Sequence, residues 1–208
     1  MTRFVVIGAG GHGKVVVATL QAAGQAMSAV MDSNPERVGS TVLGIPVQLL
    51  GAGTNAEGPA VIGVGDNAAR KALAGRLAWD WATAIHPTAI VHESVTVEPG
   101  AVVFAGAIIQ PGAHIRSHAI VNTGARVDHD CDIEAFAHVA PGVSMSGGVR
   151  VGEGALVGVG ASIAPGCTIG AWSIIGAGAV VTTDIPDHVT AVGVPARVIK
   201  THKPEAGR

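Results

Sequence analysis

Two patterns of apolar spacing divide this chain. From Ala84 to Ile185 it falls without a gap into seventeen groups of six, from AIHPTA and IVHESV through RVDHDC and DIEAFA to IIGAGA and VVTTDI. The second residue of each group is Ile or Val, or once Met145; the sixth is Ala, Val, Cys or Ser, with Ile185 the bulky exception. A helix repeats its apolar face near every 3.6 residues and an alternating strand every two, so a period of six is neither. Six residues make one short flat strand and a corner, with the second residue inward, the small sixth residue in a crowded bend, and Gly or Pro marking the turn. Before Ala84 the pattern changes. Residues 3–8 read as a buried strand, Gly8 to Gly13 as a turn, and Lys14 to Ala23 as a helix ending near Gly24. Met27 to Met31 reads as a strand closed by Asp32, Val61 to Val64 as a third strand, and Asn67 to Leu77 as a second helix. The expected organisation is a small N-terminal α/β (Rossmann-like) domain over 1–83, followed by a repeat domain with a C-terminal tail over 84–208.

Composition agrees with a narrow core. The 208 residues hold 30 glycines and no tyrosine, and only 3% are aromatic, while the hydrophobic 48% is mostly Ala, Val and Ile. Small and β-branched side chains of this kind suit thin, sheet-lined interiors better than the Leu- and aromatic-rich core of an ordinary α/β enzyme. The net charge of −2 offers no basic excess for nucleic acid or an anionic membrane surface. The first residues carry no signal-peptide pattern, and no apolar run reaches the roughly 18 residues of a membrane span, so a cytoplasmic protein is expected. Two cysteines do not make a disulfide framework.

The glycines of the first segment admit two readings. Gly8, Gly10 and Gly13 satisfy G-x-G-x-x-G between a strand and a helix, and Asp32 stands where a dinucleotide fold places its ribose-binding acid. An NAD-dependent enzyme is therefore one possibility. The segment is too short for two mononucleotide-binding halves, however, whereas backbone N–H groups and a helix N-terminus would hold the phosphates of any nucleotide diphosphate.

The six-residue period resembles the hexapeptide-repeat pattern. That resemblance implies three hexads per coil of a left-handed parallel β-helix shaped as a triangular prism, about five and a half coils in all. Residues 18 apart then share a column, with coils about 4.8 Å apart. Cys131 and Cys167 would lie two coils apart, about 10 Å and beyond disulfide reach, as small core fillers. Further motifs narrow the family: GAGGHGK at Gly8 to Lys14, Gly63-Val64-Gly65-Asp66-Asn67 with Arg70, Ile85-His86-Pro87, and GVPARVIK at Gly193 to Lys200. With the repeat, they cover nearly the whole chain and resemble the sialic acid O-acetyltransferase and bacterial sugar N-acetyltransferase family, whose members include enzymes acting on UDP-linked 4-amino sugars and on GDP-perosamine. The resemblance implies acetyl-CoA as co-substrate, a nucleotide-linked amino sugar as acceptor, a homotrimer with sites between subunits, and a place in polysaccharide biosynthesis.

An amine or hydroxyl attacking a thioester must lose a proton, and histidine titrates in the range to accept it. Of nine histidines, His129 stands out in Arg126-Val127-Asp128-His129-Asp130, outside the inward position and flanked by carboxylates. His92, His114 and His118 read as exposed-face residues, and His188 and His202 as solvated tail residues. The resemblance carries the general base onto His129 and the acid that raises its basicity onto Asp130, although many members have Glu there. It places Gly10, Gly11 and His12 at the phosphates, Asp32 and Ser33 near the base, and Gly65 at another substrate contact. For acetyl-CoA it points to His138 near the thioester and to Val159 and Ala177 along the pantetheine. His129, Asp132 and His138 share no column, so no metal site is expected. Alternatives are a sialic acid-type O-acetyltransferase and a non-catalytic β-helix binding or scaffold protein.

Overall fold

The computed structural model of the chain describes residues 3–203; the end of the tail lies outside the described residues. The N-terminal part is built from β1 (Phe4–Ile7), α1 (Gly11–Ala22), β2 (Met27–Asp32), β3 (Thr41–Val42), β4 (Ile45–Leu49), β5 (Ala60–Ile62) and α2 (Asn67–Arg76). These strands form one sheet in the order β3-β4-β2-β1-β5, parallel except for the β3–β4 hairpin. The chain leaves β1 toward β2 on one side and later returns to β5 on the other. That reversal opens a crevice at the carboxyl ends of β1 and β5, where open α/β sheets bind ligands.

Two details depart from the sequence reading. The β3–β4 hairpin was not expected: its turn is Leu43-Gly44, both residues with positive φ, and leucine there hides the Asn-Gly signature of such turns. Its strands are also short and largely exposed, so little hydrophobic alternation marks them. Helix α1 starts at Gly11 rather than Lys14. Poor helix formers open it because of close packing, since a Cβ on Gly13 would run into the Gly8 carbonyl.

From Ala84 the hexads form the parallel β-helix. Each contributes a two-residue strand, from Ala84–Ile85 to Val180–Val181, and partners are 18 residues apart, as in Ile108↔Arg126↔Ser144↔Ser162↔Val180. The strands fall into three sheets, one per prism face. Second-position residues from Val103 to Val181 are buried, as are sixth-position residues from Ala101 to Ile185, including the free cysteines Cys131 and Cys167. At the first coil Ile85, Val91 and Val97 are only partly buried, because no coil lies beneath them. Strands Val189–Val192 and Arg197–Thr201 extend the face of Ile174 at the other end.

The two parts pack together. Helix α1 covers the face formed by Ala84, Val102, Phe104 and Ile120. Helix α2 meets a prism edge at residues 118, 136, 154 and 172, one corner column. Its N-terminus is capped by Asp66, whose Oδ1 accepts the Ala69 N–H at 2.8 Å.

Candidate functional site

A cleft of about 650 Å³ lies at the crevice between β1 and β5, within the size range of small-molecule sites. Gly10, Gly11, His12, Asp32, Ser33 and Gly65 all line it, so the six residues assigned to the acceptor from sequence share one cavity. The N-terminus of α1 opens onto it with no acid in its first turn, a setting that favours an anion. Sequence reasoning missed two cations on its wall, Arg37 and Arg76. Asp32 is already engaged: it accepts from the backbone of Ala9 (2.7 Å) and Asn34 (2.8 Å) and from Arg37 Nη1 (2.9 Å). Those bonds outweigh its partial burial and hold its pKa below the usual carboxylate value. The carboxylate therefore ties the loops after β1 and β2 together and has little capacity left for a ligand.

Three histidines lie at the seam between the N-terminal part and the prism. The His12 ring contacts Phe104 edge-on at 5.2 Å and His138 at 5.9 Å, and its Nε2 is buried without a partner. His138 Nε2 lies 3.0 Å from the Nδ2 of Asn122, a group that can only donate. Burial, then the charge of Arg70, pushes both pKa values down to about 4, so both rings are neutral near pH 7. His118 corrects its reading as an exposed residue: it is buried, stacked on Phe136 at 5.1 Å and edge-on to Trp81 at 5.0 Å. The repeat predicts an outward corner there, but residues 79–81 and α2 cover that corner.

Arg70 binds the two parts together. Its guanidinium is buried and donates to the carbonyls of His118, Phe136, Val64 and Gly65 and to Asn67 Oδ1 at 2.7–3.2 Å. Burial lowers its pKa to about 10, still far above neutrality. Asn67 donates in turn to the Gly154 and Ala155 carbonyls, and Lys71 pairs with Glu153 and lies over the Trp172 ring. The segment from Gly63 to Arg70 therefore both walls the cleft and docks it on the prism.

His129 and Asp130 occupy another prism edge, both largely exposed. His129 Nδ1 lies 2.8 Å from Asp130 Oδ2. The hydrogen bond to Asp130 first, and the Asp128 charge second, raise the imidazole pKa above its ordinary value. With Nδ1–H donated to the carboxylate, Nε2 is left as the proton acceptor. Asp130 holds this geometry from a left-handed backbone, φ 57°, where L-residues other than Asn, Asp and His seldom sit.

The residues assigned to acetyl-CoA divide. Val159 and Ala177 are exposed neighbours in one corner column, a bare apolar strip. His138 lies on the adjoining face with its ring against His12. The strip and His129 occupy different edges of the prism, separated by the face that carries Arg126 and Ser144.

Comparisons with known proteins match both parts of the chain. Residues 3–77 match the family model described as the PglD N-terminal domain, and residues 148–183 match bacterial transferase hexapeptide (six repeats). A perosamine N-acetyltransferase variant from Caulobacter crescentus, solved with CoA and GDP-perosamine, is 41% identical, with 96% of this chain and 98% of that chain covered and a TM-score of 0.89. The acetyltransferase domain of PglB from Neisseria gonorrhoeae is 36% identical, covering 96% and 100% of the two chains with a TM-score of 0.88. WeeI from Acinetobacter baumannii is 25% identical, with 96% and 100% covered and a TM-score of 0.85. No curated protein sequence matches the chain.

Proposed function

The chain belongs to the hexapeptide-repeat sugar N-acetyltransferases with a PglD-type N-terminal part, and we propose that it transfers acetyl from acetyl-CoA to the 4-amino group of a nucleotide-linked amino-dideoxy sugar, GDP-perosamine or a UDP-4-amino sugar. The observation that carries the reading is the His129–Asp130 pair, with Nδ1 engaged and Nε2 free on an exposed edge. The amine attacks the thioester carbonyl carbon, an N–C bond forms, and His129 Nε2 takes the proton from the developing ammonium. The tetrahedral intermediate then collapses, the C–S bond breaks, and the proton passes to the departing thiolate. Asp130 fixes the imidazole tautomer and steadies the imidazolium.

In this reading the cleft takes the nucleotide. Its glycine loop, the α1 N-terminus and the cations Arg37 and Arg76 suit a diphosphate, which favours a nucleotide-linked acceptor over free sialic acid and O-acetylation. Arg37 and Arg76 join Gly10, Gly11, His12, Ser33 and Gly65 as proposed acceptor contacts, with Asp32 as the organiser of the loop.

Acetyl-CoA is assigned to the strip of Val159 and Ala177, with His138 toward its acyl end. Because that strip and His129 occupy different edges, a second copy of the chain, in a homotrimer, would bring a base to a bound thioester. Such an enzyme would act in the cytoplasm in polysaccharide biosynthesis; among the described residues no helix is long and apolar enough to cross a membrane. The test is His129→Ala. Turnover is expected to fall at least about a hundredfold while CoA binding, measured by calorimetry, is retained; a near-normal kcat would remove the base.

A further inference from the structure

The residue stacked on His129 breaks the repeat. Fourth positions of the seventeen hexads hold Pro, Glu, Ala, Ser, Thr, Val and His, and glycine occurs at one of them only, Gly147. It stands 18 residues after His129, in the same column one coil on; His129 O accepts the N–H of the adjoining Gly148 at 2.9 Å. The turn does not require it: Gly147 is not among the residues with positive φ, unlike its neighbour Gly148 at 69°. What a side chain there would meet is the catalytic imidazole, since a Cβ on residue 147 would fall inside contact distance of Cε1, Nε2 and Cδ2 of His129. No other side-chain or backbone atom is among its three nearest.

We infer that Gly147 is a positioning residue, a bare seat across which the His129 ring lies so that Nδ1 reaches Asp130 while Nε2 faces the acceptor amine. A methyl at this site would push the ring outward. Among the described residues the side chain has no second polar anchor: Asp130 is the partner of its Nδ1, and the ring is otherwise exposed. The absence of a Cβ one coil on therefore fixes where the proton-accepting nitrogen sits. A displacement of about 1 Å at a reacting group is enough to cost a hundredfold in rate.

The catalytic part of this inference rests on the acetyltransfer reading; the steric part does not. The test is Gly147→Ala, alone and combined with His129→Ala. In the single variant kcat should fall about tenfold or more, with KM for both substrates within about twofold. Its melting temperature should drop slightly, since the exposed ring can swing aside at small cost. In the double variant the ring that clashes is gone, so the melting temperature should return to that of His129→Ala. An unchanged kcat in a folded Gly147→Ala would overturn the proposal. So would a loss of stability that His129→Ala does not relieve. If the wild-type chain transfers no acetyl group, the functional reading fails, and the melting temperatures still decide the seat.

Discussion

Asp130 lies in the left-handed region of backbone space, at φ 57°. The fifth position takes a left-handed backbone in fourteen of the seventeen hexads, and glycine fills ten of them, from Gly100 to Gly178. Four other residues accept φ of 57–59° there: His118, Asp130, Phe136 and Trp172. Each bears strain on the order of 1 kcal/mol or more. Three share the corner column against which α2 docks, and Asp130 alone stands in another column, beside His129. Its role can be isolated by Asp130→Asn, which keeps the size and tolerates the left-handed backbone. A general base at His129 would work unprotonated, so activity should rise with pH through its titration, which the hydrogen bond to Asp130 holds above the ordinary value. Without it, the rise of kcat/KM should move to lower pH, toward about 6.5, while the plateau falls about tenfold or more. An unmoved profile would dissociate Asp130 from the base. The pairing of the two side chains was legible in Asp128-His129-Asp130, but the strain was legible only as a break in the glycine rule.

At the level of elements, the decisive contacts are those that seat α2 on the prism. The motif Gly63 to Arg70 was visible in the sequence as a family mark, and its physical purpose was not. Arg70 reads there as one more helical cation, yet it is buried and spans Val64, Gly65, His118 and Phe136 through their carbonyls. Nothing in a six-residue period reveals that one corner column will be covered, which is also why His118 reads as exposed and proves buried. Arg70→Ala should destabilise the protein by about 3 kcal/mol or more, because it leaves buried carbonyls without donors. Chemical denaturation measures this, and a loss below about 1 kcal/mol would show that the seam does not depend on the guanidinium. The prism was legible almost residue by residue, since its period is its structure. The β3–β4 hairpin was not, because two short, largely exposed strands and a Leu-Gly turn leave no pattern.

For the whole molecule, the arrangement separates the tasks. A crevice in the N-terminal part offers glycine backbone, a helix N-terminus and two cations. One prism edge offers His129 and Asp130, and another an apolar strip at Val159 and Ala177. The columns needed to see that separation follow from the hexad count, whereas the cleft-wall cations Arg37 and Arg76 come from loop and helix-end positions that no periodicity marks. In the proposed function these parts serve one reaction, acetyl transfer to the amine of a nucleotide-linked sugar. The most direct measurement incubates the protein with acetyl-CoA and GDP-perosamine, UDP-4-amino sugars or free sialic acid, following thiol release and product mass. Stoichiometric thiol release and an N-acetylated product are expected with a nucleotide-linked 4-amino sugar, and none with sialic acid. Acetylation of sialic acid alone, or thiol release with none of the amino sugars, would contradict it.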